Sequence, residues 1–300
     1  MPENTPENVP GVPDPVTRHP RPPFPDQEQE HPGSTEEMRP RPDHGEDSYR
    51  GHGLLADRAA VVTGGDSGIG RAVCLAFARE GADVVFTHLA EEEAEAAETA
   101  RLVREAGRTA VPVLCDIRDE EQCTALIDRA VDELGRVDVL VNNAAYQMSR
   151  PDGIETITTE QFDRVMKTNL YGMFWLTRKA LAHMPRGGSV INTTSVQGYQ
   201  PSPHLLDYAM TKAAIVSFTH GLAQMLADRG IRVNAVAPGP VWTPLIPATM
   251  PDTTEFGAQS PLGRPAQPAE MAPAYVFLAS PAASYITGEI VNATGGTPLP

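Results

Sequence analysis

Cysteine is scarce in this chain of 300 residues, which has Cys74, Cys115 and Cys123 and no others. Three are too few for a disulfide scaffold and too scattered for a zinc site. Each lies in an apolar pattern and reads as a reduced core thiol. No metal is expected. No apolar run approaches the roughly 18–20 residues of a membrane-crossing helix, and nothing near the start has the apolar stretch of a secretory signal. With reduced cysteines, that points to the cytoplasm. Positive charge is also short, with 24 basic residues against 39 acidic ones and a net charge of −15. Such a balance argues against nucleic acid and against an anionic membrane surface as partners. Lysine is the rarest cation: Lys167, Lys179 and Lys212 stand against 21 arginines.

Proline is plentiful but uneven, with 12 of the 29 in the first 50 residues. In residues 1–50 the apolar groups Val9, Val12, Val16, Phe24, Met38 and Tyr49 stand isolated among Pro, Glu, Asp, Arg and His. A segment that cannot bury apolar surface cannot offset its ordering entropy. The expectation is an acidic arm, disordered or extended along the domain, whose removal leaves the domain's stability nearly intact. Residues 51–300 read as one domain. Strands are expected at 59–63, 83–87, 109–115, 137–141, 189–193, 232–237 and near 289–291. Helices are expected near 69–80, 91–106, 119–134, 160–184, 208–229 and 269–279. This alternation specifies an α/β fold, a Rossmann-like doubly wound sheet of about seven parallel strands with helices on both faces.

The first strand runs into Thr63-Gly64-Gly65-Asp66-Ser67-Gly68-Ile69-Gly70, and a helix follows. Glycines let a backbone approach a pyrophosphate, and a helix N-terminus offers free N–H groups and a positive dipole end. Further along, Ser195 ends a strand, and Tyr208 and Lys212 lie four apart, on one face of a helix. A phenol is a poor base near neutrality, and a neighbouring ammonium is expected to lower its pKa. Ser195 can hydrogen-bond and polarise a substrate oxygen. Together these groups suit proton transfer to a carbonyl that receives a hydride.

The Gly64-x-x-x-Gly68-Ile69-Gly70 loop and the Ser195, Tyr208-x-x-x-Lys212 set resemble the short-chain dehydrogenase/reductase family. The resemblance spans about residues 53–296. It implies a soluble homotetramer that transfers hydride between NAD(P)(H) and an aldehyde, ketone, alcohol or polyol. It places Asp116 at the adenine, and Ile117 together with Asn143 and Ala144 of Asn142-Asn143-Ala144-Ala145 at the cofactor. Ala145 stands where the family has Gly, which implies a backbone that does not need glycine. Pro238, Gly239, Val241 and Thr243 are implied at the carboxamide. Asn169 is implied as the fourth catalytic residue, helping to hold a water in a proton relay from Lys212. Thr63–Gly70, Tyr199–Pro203, Ala237–Pro244 and Phe256–Ser280 further resemble a branch of general-stress oxidoreductases, glucose/ribitol dehydrogenase-like proteins and aldehyde reductases.

Cofactor choice is weakly written. The position that carries a carboxylate for NAD or a cation for NADP is His88, which supplies neither. Asp66, Ser67 and the run Glu91-Glu92-Glu93 offer no cation, so the balance tips to NAD. Residues 146–157, 196–207 and 244–266 are expected to close over substrate. An enoyl reductase is disfavoured, because that branch puts six residues between Tyr and Lys and here there are three. A catalytically silent nucleotide-binding stress or regulatory protein is the alternative.

Overall fold

A computed structural model describes residues 13–150 and 152–299. Seven parallel strands form one sheet: β1 (Ala59–Val62), β2 (Asp83–His88), β3 (Ala110–Leu114), β4 (Val139–Asn142), β5 (Ser189–Thr193), β6 (Arg232–Pro238) and β7 (Ile290–Ala293). Their order is β3-β2-β1-β4-β5-β6-β7. The chain winds outward from β1 to β3, then returns to start again at β4. The direction therefore reverses between β1 and β4, and ligands of open α/β sheets bind outside the strand ends at such a point.

Alternation along the strands splits the core into two layers. Ala60, Val62, Val84, Phe86, Val139 and Val141 pack on one face, with Phe77 and Tyr275. Val61, Val85, Leu140 and Val190 pack on the other, with Leu126, Ile127 and Leu176. The first layer is covered by α1 (Gly68–Arg79), α2 (Glu93–Glu105) and α8 (Pro268–Ala279), the second by α3 (Glu120–Leu134), α5 (Gly172–Ala180) and α6 (Leu206–Leu226). Each fully buried branched or aromatic side chain contributes roughly 1.5–3 kcal/mol. Local signals set the helix ends. The Asp119 carboxylate accepts from the Glu121 and Gln122 N–H groups to start α3, and Gly135, at φ +81°, ends it.

The expected helix over 160–184 is interrupted. It divides into α4 (Thr159–Met166), a π turn over Lys167–Tyr171, and α5. Apolar periodicity cannot reveal one inserted residue, and such turns are frequent at functional sites. The loop 244–266 holds a short helix, α7 (Leu245–Thr249).

The arm corrects a stronger expectation. Residues 13–50 lie extended along the domain, and two of their apolar groups are core. Phe24 and Met38 are 5% and 0% exposed and pack with Trp242 and Ile246. The Phe24 and Trp242 ring centroids are 4.4 Å apart. Trp242 Nε1 donates to the Pro40 carbonyl at 2.8 Å. Tyr49 Oη donates to Glu80 at 2.6 Å, and the Arg79 guanidinium donates to the carbonyls of Gly45, Glu46 and Tyr49. Isolated apolar residues read as coreless only when they must pack on one another; here Phe24, Met38 and Tyr49 pack against apolar groups of the domain. Val9 and Val12 fall outside the described residues.

Candidate active site

A cleft of about 450 Å³ opens at the carboxyl ends of the strands, across the β1/β4 reversal. Gly64, Asp66, Ser67, Gly68 and Ile69 line it, as do His88, Asp116, Ile117, Asn143 and Ala144. So do Ser195, Tyr208, Lys212, Pro238, Gly239, Val241 and Thr243. Gly70 and Asn169, also expected there, sit behind its wall.

Gly64 and Gly68 have φ of +61° and +50°, a conformation that side chains disfavour. Gly70 serves packing: a Cβ there would meet the Gly64 carbonyl oxygen at 1.8 Å. It lets the start of α1 abut the loop. Asn143 Nδ2 donates to the carbonyls of Thr63 at 3.0 Å and Gly64 at 3.3 Å, fixing the loop from β4. Asn142 is structural, donating to Thr177 Oγ1 and to Asn192 Oδ1 on the adjacent strand. Ala145 is not among the positive-φ residues, as its departure from glycine implied. The Thr243 methyl packs beside Gly68, joining the turn after β6 to the glycine loop.

On the β2/β3 side the cleft has a carboxyl lip. Asp66 is 2% exposed, and its Oδ2 has no hydrogen-bond partner. Burial raises its pKa. Glu92 lines the same wall; burial and the neighbouring Asp66 push its pKa up as well. Glu91 and Glu93 point to solvent. His88 Nδ1 pairs with the Leu89 carbonyl and presents no charge partner. Arg118 holds Asp116 through both carboxylate oxygens, and that contact lowers the Asp116 pKa.

At the other end, Tyr208 and Lys212 project from α6, both buried, with Nζ 5.3 Å from the phenol centroid. Lys212 Nζ donates to the Thr193 carbonyl at 2.8 Å. Burial lowers the lysine pKa to about 7. The expected lowering of the tyrosine pKa is not found. Burial pushes it up to about 12, against a smaller opposing pull from the nearby Ser195 hydroxyl. Desolvation disfavours phenolate more than the nearby ammonium favours it.

Asn169 lies in the π turn, 2% exposed. Its Oδ1 accepts from Tyr146 N at 2.8 Å, and its Nδ2 donates to Tyr146 O and to Thr211 Oγ1, each at 3.0 Å. The side chain is thus committed to the chain after β4 and to α6, and makes no hydrogen bond with Lys212. A cavity of about 10 Å³ lies between the two residues, lined also by Thr63, Asn142 and Thr193. Asn142 Oδ1 is otherwise unpartnered.

Each loop expected over the substrate contributes: Tyr146 and Gln147 from the first, Ser202 and His204 from the second, Leu245, Met250 and Phe256 from the third. Sequence reading missed Arg118, Arg164 and, from the arm, His31 and Pro32, all of which line the cleft. No spacing marks them. Among the described residues no group of three or more His, Cys, Asp or Glu is placed to hold a metal, and no helix is long and apolar enough to cross a membrane.

A glycine cradle at a helix start, an orphaned buried carboxylate oxygen on the adenosine side and a buried Tyr–Lys pair at the far end fit a dinucleotide and define an NAD(P)-dependent oxidoreductase. Comparison with known proteins agrees. The family model described as enoyl-(acyl carrier protein) reductase matches residues 64–297. General stress protein 39 of Bacillus subtilis is 47% identical over 267 residues, 88% of this chain and 93% of that protein. NADPH-dependent aldehyde reductase 1, chloroplastic, of Arabidopsis thaliana is 45% identical over 273 residues, 88% of this chain and 94% of that one. Among solved structures, a 3-ketoacyl-(acyl-carrier-protein) reductase of Brucella melitensis complexed with NADH superposes with a TM-score of 0.73 at 34% identity, over 81% of this chain and 98% of that chain. The chain belongs to the short-chain dehydrogenase/reductase family, in the branch of the stress-protein and aldehyde-reductase relatives.

Proposed function

We propose that the protein interconverts a small aldehyde or ketone and its alcohol. The observation that carries this reading is the buried Tyr208–Lys212 pair at the inner end of the cleft, which Ser195 also lines. A bound nicotinamide dinucleotide supplies or accepts the hydride. Gly64, Ser67 and Gly68 would hold its pyrophosphate, Asp116 and Ile117 its adenine, and Val241 and Thr243 its carboxamide. Ser195 Oγ then holds the substrate oxygen. Tyr208, a neutral phenol at physiological pH, donates its proton to that oxygen as negative charge develops there, because an alkoxide is more basic than a phenolate. The phenolate left behind is stabilised by Lys212. Asn169 acts at one remove, fixing Tyr146 and α6, and the small cavity beside Lys212 has room for about one water in a relay.

Three residues between Tyr208 and Lys212, where the enoyl branch has six, favour carbonyl over enoyl chemistry. Asp66 and Glu92 on the adenosine side favour ribose hydroxyls over a 2′-phosphate, hence NAD(H), although the Arabidopsis relative is NADPH-dependent by name. A homotetramer in the cytoplasm belongs to the same reading, and size-exclusion with light scattering checks the assembly. The decisive test is a 340 nm assay of NADH and NADPH with aldehydes, ketones and sugars. Turnover with one cofactor supports the proposal. Tight cofactor binding without turnover of any carbonyl would instead favour a silent nucleotide-binding protein.

A further inference from the structure

The arm crosses the mouth of the cleft. Gln29 N donates to the Pro247 carbonyl at 3.0 Å, which ties the arm to α7 in the substrate loop. Gly33 then passes Pro244 so closely that a Cβ would lie 2.7 Å from its carbonyl oxygen. Thr35 N donates to Glu95 Oε1 at 2.7 Å, and Ser34 Oγ does so at 3.1 Å. Glu95 is on α2 and is ion-paired to Arg71 of α1, whose Nε donates to the Asp66 carbonyl of the glycine loop at 2.9 Å. Between these moorings His31 reaches the opposite bank. Its ring stands edge-on to Tyr146 with centroids 5.1 Å apart, and its Nδ1 is 3.5 Å from the Arg164 guanidinium. Arg164 in turn lies over the Tyr146 ring at 4.0 Å.

A dinucleotide with its nicotinamide at Tyr208 and its pyrophosphate on the glycine loop has its adenosine over the ends of β2 and β3. The segment from His31 to Thr35 bridges from the substrate loop to α2 across that path, and His31 and Pro32 face the cleft. We propose that the His31–Pro32 turn is part of the cofactor site, an outer wall over the adenosine half that holds bound NAD(P)(H) in place. The arm is also anchored apart from this turn, by Phe24 and Gln29 before it and by Ser34, Thr35 and Met38 after it, so altering the turn leaves those moorings in place. Burial and Arg164 lower the His31 pKa to about 4. The imidazole is neutral near pH 7 and acts by shape and hydrogen bonding.

The proposal rests on the dinucleotide reading, and the two fail differently. In the full-length protein, His31→Ala/Pro32→Ala should raise the NAD(P)H dissociation rate and Kd roughly tenfold, about 1.4 kcal/mol. Stopped-flow cofactor fluorescence reads the rate. A KM for the carbonyl within about twofold would separate this from damage to the substrate loop. Unchanged Kd and dissociation rate in a folded variant would overturn the wall, whereas a wild type that binds neither cofactor would overturn the dinucleotide reading. If the double variant does not fold, hydrogen exchange on the wild type decides: saturating cofactor should protect amides 29–36, and no added protection there rejects the proposal.

Discussion

Lys212 Nζ stands 5.3 Å from the Tyr208 ring centroid while donating to the Thr193 carbonyl at 2.8 Å. The lysine is thereby tied to Thr193, the last residue of β5 and two residues before Ser195, and α6 cannot slide against the sheet without moving both groups. Burial works on the pair in opposite senses, holding the phenol protonated and the amine near its titration point. In the proposed reaction such a pair would give up a proton from oxygen and regain it.

Tyr208→Phe therefore removes the proposed proton donor and little else. Turnover should fall at least about a hundredfold, the usual lower bound for a positioned acid. Cofactor Kd, read by calorimetry, should stay within about twofold. A variant with near-normal kcat would exclude Tyr208 from the chemistry.

Gly70→Ala tests the loop's packing. The new Cβ would meet the Gly64 carbonyl oxygen at 1.8 Å and Asn143 Nδ2 at 2.8 Å. Both belong to the cradle, so it must open to relieve the clash. Nucleotide binding by calorimetry should become undetectable while far-UV circular dichroism stays native. Retained affinity would move the pyrophosphate off this loop.

The parallel sheet of about seven strands and the grouping of Ser195, Tyr208 and Lys212 at one cleft were legible in the sequence, because apolar strands, glycine spacing and an i, i+4 pair are local patterns. What was not legible depends on partners distant in sequence. Met38 looked isolated because the groove it fills belongs to Trp242 and Ile246. His31 and Arg164 meet only after folding. The Tyr208 pKa went the other way from expectation because burial, not the adjacent cation, is the larger effect, and burial depth cannot be read from spacing. The π turn around Asn169 likewise leaves no periodic trace.

Met38→Ala measures the arm's share of stability. Met38 is fully buried, and removing a large core side chain costs about 2–5 kcal/mol. Urea unfolding of the full-length protein should show that loss in midpoint with an unchanged slope. A change under about 0.5 kcal/mol, the usual range for surface positions, would restore the view of the arm as a dispensable appendage.

Glu92 links the carboxyl lip to pH. Burial and the neighbouring Asp66 raise its pKa above the ordinary glutamate value of 4.5. Across the window above that value, the folded protein keeps a proton that the unfolded chain has released. The unfolded state binds fewer protons there, so Glu92 makes folding stability fall as pH rises. Glu92→Gln keeps an acceptor for the Leu89 N–H, which the wild-type carboxylate binds at 2.8 Å, but removes the titration. The variant's stability relative to wild type should therefore increase from pH 5 to pH 8 in parallel urea titrations. A difference that stays flat, or shrinks, would mean that Glu92 titrates as an ordinary solvated carboxylate and that the lip carries its charge at neutral pH.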